Sequence, residues 1–201
     1  MRAEEVSSSG TSAYRTGARL VSVWCWRRSL NHKAGHVDIE IVPGRLASVE
    51  ASPHADFPAG GRLVTTSPAD IAASYVATER LMNSETKIVA LADVFTFCVS
   101  PEAIREMRGE LSRLASIPFK YQVYPIADGY NCATFSAGLL VHAGVLDEPA
   151  LGRRPYHPGS LAESLHALAA QRVCTHKALS LDENELVWEV NVVPTDPSRQ
   201  T

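Results

Sequence analysis

The segment Cys132–Ala143, CATFSAGLLVHA, is made of small and apolar residues and is closed by Gly144. As a helix it is hydrophobic nearly all round, and a helix of that kind belongs in the interior of a domain. The glycine supplies a helix stop. The rest of the chain must therefore build a core around it. With 201 residues, 45% of them hydrophobic, the chain can do so without help from a metal or disulfides, and its length argues for one domain.

Strand signals sit on the N-terminal side. RLVSVWCW, residues 19–26, is rich in Val and Trp, which suit strands. HVDIEIV, residues 36–42, alternates strictly: Val37, Ile39 and Ile41 face one side, and His36, Asp38 and Glu40 the other. Pro43-Gly44 is a turn signal, and RLASVE, residues 45–50, completes a hairpin. Residues 51–66 are rich in Pro, Gly and Ala and read as a loop. Ser67-Pro68-Ala69-Asp70 and Ser100-Pro101-Glu102 both carry a Ser cap, Pro at the first helical position and an acid in the first turn. They open helices reaching about Met82 and Ala115. KIVALADVFTFCV, residues 87–99, is apolar and β-branched. A further helix is expected over 160–171, with weaker strand signals over 174–194. The fold class is α+β: an antiparallel sheet packed on a central helix that carries Cys132. Residues 1–17 are expected to form a loose polar arm, 18–195 a single catalytic domain and 196–201 a tail.

Charge and cysteine content narrow the functions. The net charge is -3 and the pI about 6.2, so there is no broad electrostatic footprint for nucleic acid or an anionic membrane. The four cysteines, Cys25, Cys98, Cys132 and Cys174, form no CxxC pair. Cys25 and Cys98 lie within apolar runs and read as small buried core residues. No signal-peptide stretch and no membrane span is visible. Synthesis in the cytoplasm is expected, with any export through a system that needs no signal peptide.

The chemistry concentrates at Gly129-Tyr130-Asn131-Cys132, where a lone cysteine opens the apolar helix. Unpaired amides and the macrodipole favour an anion at a helix start, and the thiolate is the nucleophilic form of cysteine. Taken alone, Cys132 could equally be one more buried small residue, and His36, after Gly35 on the polar side of its strand, an ordinary solvent-facing histidine. Together they read as a Cys–His pair. His36 would take the thiol proton, Cys132 would attack a carbonyl, and amides at the helix start would hold the oxyanion.

A strand opening GHV with alternating apolar residues, followed much later by NC opening a small-residue helix, resembles the permuted papain-like fold. That group includes relatives of NlpC-type cell-wall endopeptidases, lecithin:retinol acyltransferase-like proteins and bacterial effector toxins. The resemblance covers roughly residues 19–145, and His36 preceding Cys132 matches the permuted order. It implies Cys132 as nucleophile, His36 as general base and a third, orienting residue on the strand after the histidine strand. Glu50 fits that place best, although the group often has His, Asn or Gln there. Ser48 on the same face, Asp38 beside His36, and Asp93 in its apolar strand are the alternatives. Tyr124 or Tyr130 could donate to an oxyanion or simply pack.

The implied activity is a cysteine-dependent peptidase or amidase working through an acyl-enzyme thioester. Acyl transfer by the same pair, or a papain-like binding module without chemistry, are the other readings. The substrate is a peptide or amide. A delivered toxin cleaving cell-wall peptides or a target protein would also have an immunity or carrier protein as partner. No cofactor and no metal are expected. His32 and His36 have HxxxH spacing, but Gly35 and the strand pattern deny the helix that spacing needs, and Lys33 replaces the glutamate of such motifs. His54, His157, His166 and His176 have no partners nearby in sequence. His142 reads as a core or boundary residue, and Arg27-Arg28 and Arg153-Arg154 as solvated pairs.

Overall fold

A computed structural model describes residues 18–27, 35–52, 60–82, 89–122, 129–151, 156–182 and 185–190. The expected arm 1–17 and tail 196–201, together with His32, Lys33, His54, Tyr124, Arg28 and Arg153-Arg154, lie outside the described residues.

The fold is α+β. Seven antiparallel strands form one sheet: β1 (Arg19–Trp26), β2 (His36–Val42), β3 (Arg45–Ala51), β4 (Gly61–Thr66), β5 (Val89–Val99), β6 (Thr175–Asp182) and β7 (Glu185–Val190). Their order is β4-β3-β2-β1-β5-β6-β7. Four helices accompany it: α1 (Pro68–Met82), α2 (Pro101–Ser116), α3 (Cys132–His142) and α4 (Pro158–Ala170). Among the described residues, no helix is long and apolar enough to cross a membrane.

Local sequence sets most of these boundaries. At the β2–β3 turn Gly44 takes φ +76, a value that glycine adopts without strain, and its amide donates to Glu40 Oε1 at 2.7 Å. The Ser100 hydroxyl accepts from the Ala103 amide at 3.1 Å, and the Ser67 hydroxyl from the Asp70 amide at 3.1 Å, so both expected caps form. Gly144, at φ +63, follows the end of α3 as expected.

The sheet is covered on both faces. On one, Val21, Val23, Val37, Ile39, Val49, Phe95 and Phe97 join Phe135, Leu139 and Leu140 of α3 in the main core. α3 packs on β2 and β3, with α2 beside it, and α4 crosses β1, β5 and β6. On the other face, Trp24, Trp26, Leu46 and Val94 pack with Ala72 and Tyr75 of α1. Trp26 stacks on Tyr75 with ring centroids 5.2 Å apart.

Three expectations need correction. Residues 61–66, read as loop, form β4, paired with β3 from Leu46↔Thr66 to Ala51↔Gly61. The pairing edge of β3 holds this segment in a strand, although its Pro/Gly-rich lead-in suggests a turn. Cys98 is exposed rather than buried. It pairs across β1 with Leu20, itself 65% exposed, at the end of the sheet that the second apolar cluster does not reach. α4 begins at Pro158, two residues before the expected Ser160, because Pro suits a first helical turn.

Candidate functional site

The alternation in β2 separates two buried environments rather than core from solvent. His36 and Asp38 are both buried, on the face opposite Val37 and Ile39. Gly35 precedes His36 at φ +80, and a Cβ there would stand 3.0 Å from the Trp26 carbonyl oxygen. Glycine therefore lets the chain enter β2 tightly against β1 and sets where the imidazole begins.

Cys132 is the first residue of α3. Its helix start is fixed by Asn131, whose Oδ1 accepts from the Thr134 amide at 2.7 Å and whose Nδ2 donates to the Tyr156 carbonyl at 2.9 Å. Asn131 thereby ties the cap to the segment that leads into α4. The preceding residue, Tyr130, bridges Tyr121 and exchanges backbone hydrogen bonds with Lys120 and Gln122, each 2.9 Å long.

His36 makes side-chain hydrogen bonds to both Cys132 and Asp38. Its Nε2 lies 3.3 Å from Asp38 Oδ1. Asp38 is anchored in turn by the Trp26 indole N–H, which donates to Oδ2 at 2.7 Å. Burial of His36 works to lower its pKa. The hydrogen bonds and charges of Asp38 and Cys132 overcome that and push it up to about 10. The site is therefore built to hold an imidazolium.

Glu50 does not reach the imidazole in this way: it accepts from Arg62 at 3.2 Å and is partly exposed. It lines, with His36 and Asp38, a cavity of about 260 Å³ under α1. Ser48 is buried and donates to the Val37 carbonyl at 2.8 Å. Asp93 lies elsewhere, bound to His176 and Arg27. Tyr130 packs edge-on against Phe119 with centroids 5.6 Å apart.

The sequence reading passed over Tyr121. Burial pushes its pKa up to about 12, and the negative charges of Cys132 and Glu50 add to the rise. It is thus a protonated phenol close to the thiol. Nothing local in its segment marked it, because the bridge to Tyr130 brings it there. Cys25, also buried, has its thiol pKa raised well above the ordinary value, by burial first and then by the charges of Asp93, Cys132 and Asp38. It stays a neutral thiol.

No protein-family model matches the chain, and no curated protein matches it. Among solved structures, the chain is similar to the crystal structure of a type VI secretion system effector, TseH. Identity is 16% and the TM-score 0.47, over 86% of this chain and 97% of that one. A likeness at that level fixes neither a shared fold family nor a shared activity.

Proposed function

We propose that the protein is a cysteine-dependent hydrolase, a peptidase or amidase of permuted papain-like design, in which Cys132, His36 and Asp38 act as a unit. The observation that carries this reading is the hydrogen-bonded series Cys132–His36–Asp38, with the cysteine at the start of a buried helix. Asp38 takes the orienting place for which Glu50 was the sequence candidate, because it touches the imidazole and Glu50 is engaged by Arg62.

His36 accepts the Cys132 proton, giving a thiolate–imidazolium pair that Asp38 stabilises. The thiolate attacks the substrate carbonyl carbon. The first amides of α3 and the Tyr121 hydroxyl are the donors placed to hold the resulting oxyanion. His36 gives its proton to the leaving amine as the carbon–nitrogen bond breaks, leaving a Cys132 thioester. Neutral His36 then takes a proton from water, hydroxide adds to the thioester, and the carboxylic acid leaves as the thiol reforms.

The substrate class we infer is a cell-wall peptide or a target protein, with the protein serving as a delivered bacterial effector and an immunity protein as its partner in the producing cell. This part rests on the sequence resemblance to effector-containing papain-like groups. Purified protein incubated with cell-wall muropeptides and with a denatured protein, followed by mass spectrometry, tests it. New amine and carboxylate ends should appear with the native protein and not with Cys132→Ala. A folded native protein yielding no Cys132-dependent product from either substrate, and no accelerated alkylation of Cys132, would overturn the hydrolase reading.

A further inference from the structure

A second cleft, of about 550 Å³, opens between the sheet and α4 and is lined by Cys25, Arg27, Asp93, Glu163 and His166 among others. The proposed hydrolase chemistry does not use it. Asp93 lies at this cleft, where two imidazole nitrogens converge on one carboxylate oxygen. His176 Nε2 is 2.9 Å from Asp93 Oδ1, and His166 Nε2 is 3.8 Å from the same atom. The three atoms all lie within 4.8 Å of one another. They come from three elements, β5, α4 and β6, so the cluster is a product of the tertiary fold.

The rings are fixed. Phe95, fully buried, stacks on His176 with centroids 4.8 Å apart and meets His166 edge-on at 4.9 Å. Arg27 holds the other carboxylate oxygen, Oδ2, at 3.1 Å and leaves Oδ1 as the shared atom. A hydrogen bond accounts for one imidazole on Oδ1. The second imidazole, His166, lies edge-on to His176 with centroids 4.5 Å apart and turns its Nε2 to the same oxygen from beyond hydrogen-bond distance. Around a tetrahedral zinc ion with bonds of about 2.0–2.1 Å, ligand atoms stand roughly 3.3–3.5 Å apart. The observed separations bracket that range.

We propose that Asp93, His166 and His176 form a binding site for a divalent transition metal of the zinc class. Two imidazoles and one carboxylate suit zinc over magnesium or calcium, which take mainly oxygen ligands. Arg27 orients the carboxylate from behind, as outer partners of metal ligands do. His166, half exposed on α4, stands at the open side, so a metal held here keeps a coordination position toward the cleft. The site departs from the sequence reading, which found no ligand spacing because its members lie far apart along the chain. It is independent of the Cys132–His36 reading.

The test uses untagged, chelator-treated full chain carrying Cys132→Ala, which removes the thiol hydrogen-bonded to His36. Isothermal titration with Zn²⁺ should give one saturable site. His166→Gln should weaken binding at least tenfold, with a chelator-treated melting temperature unchanged from the parent. Co²⁺ should give visible bands of a nitrogen–oxygen site without a thiolate charge-transfer band. Saturable binding that His166→Gln leaves intact, a thiolate band, or no saturable binding by the folded parent would each overturn the proposal.

Discussion

Asp38→Asn tests the site at its least visible member. The perturbation removes a charge and one acceptor: an asparagine oxygen can still accept from the Trp26 indole N–H, which Asp38 holds at 2.7 Å, while the amide nitrogen then faces His36 Nε2 and cannot accept from it. Alanine would orphan that buried donor and cost about 1–3 kcal/mol of stability, confounding the result. The rise of the His36 pKa from 6.5 to about 10 corresponds to a preference of about 5 kcal/mol for the imidazolium, at roughly 1.4 kcal/mol per tenfold. The His36 side chain is only 11% exposed, so solvent screens little of this. Asp38 and Cys132 share it. Loss of the Asp38 charge and acceptor should therefore lower the His36 pKa and weaken the hold on the imidazolium.

Two assays read that loss without knowing the substrate. Histidine side-chain NMR against pH gives the His36 titration, and iodoacetamide labelling followed by mass spectrometry gives the rate at Cys132. In the native protein His36 should remain charged through neutral pH. In Asp38→Asn it should titrate at lower pH than in the native protein, and Cys132 labelling at pH 7 should slow on the order of tenfold to a hundredfold. Stability carries a matching signature. The folded state holds the His36 proton more tightly than the unfolded chain, so this stabilisation is complete below about pH 6.5 and is lost as pH rises toward 10. Asp38→Asn should flatten that fall. An unchanged His36 titration and an unchanged labelling rate in a folded variant would show that Asp38 does not hold the imidazolium.

Four further outcomes follow from the same geometry. At pH 6.5 Cys132 should alkylate faster than the exposed Cys98 and much faster than Cys25 or Cys174, whose thiols burial pushes up; equal rates at all four would return Cys132 to the core. Cys132→Ala and His36→Ala should each abolish hydrolysis with no further loss in the double variant, because residues serving one step are non-additive; a fully active, folded His36→Ala would exclude it as base. Gly35→Ala, whose Cβ would press on the Trp26 carbonyl, should lower Cys132 labelling at least tenfold, and wild-type labelling there would remove the glycine from the positioning of His36. Asn131→Ala should lose the α3 cap and the Tyr156 contact and cost about 1–3 kcal/mol in denaturant melts, whereas a cost near zero would mean the cap is redundant.

What the sequence disclosed and what it withheld divides by distance along the chain. Caps, turns and the strand hairpin depend on neighbours within four residues, and Ser67, Ser100, Gly44 and Gly144 announce them. The pairing of His36 with Cys132 spans far more chain, yet each residue sits at a local signature, a Gly-His strand entry and an Asn-Cys helix start. The orienting residue of the proposed site was harder. Asp38 and Glu50 both lie on the face that carries His36, and periodicity cannot tell which of them a long-range partner will claim. The Trp26 indole fixes Asp38 and Arg62 draws Glu50 away, and neither contact is visible in a one-dimensional pattern. The same holds for Asp93 and His176, bonded across 83 residues of sequence. β4 was missed because the Pro/Gly/Ala-rich residues that lead into it outweighed the short run of strand formers Leu63 to Thr66.

The two buried thiols near the site show why composition alone could not single out the proposed nucleophile. Cys25 and Cys132 are 4% and 5% exposed, and both are free. By burial they are the same residue. Their surroundings differ in sign. Cys25 lies deep in the protein near groups that oppose a second negative charge, Asp93 and Asp38 among them. Cys132 meets the imidazole of His36, which Asp38 keeps charged from its far side. Asp38 therefore acts on both thiols at once. Its charge adds to the burial and the Asp93 charge that hold the Cys25 thiol pKa up, and it also holds the imidazole that Cys132 meets. Burial and nearby carboxylates disfavour charge on Cys25, whereas Cys132 stands beside an imidazole, so under the proposed mechanism two equally buried thiols take different roles.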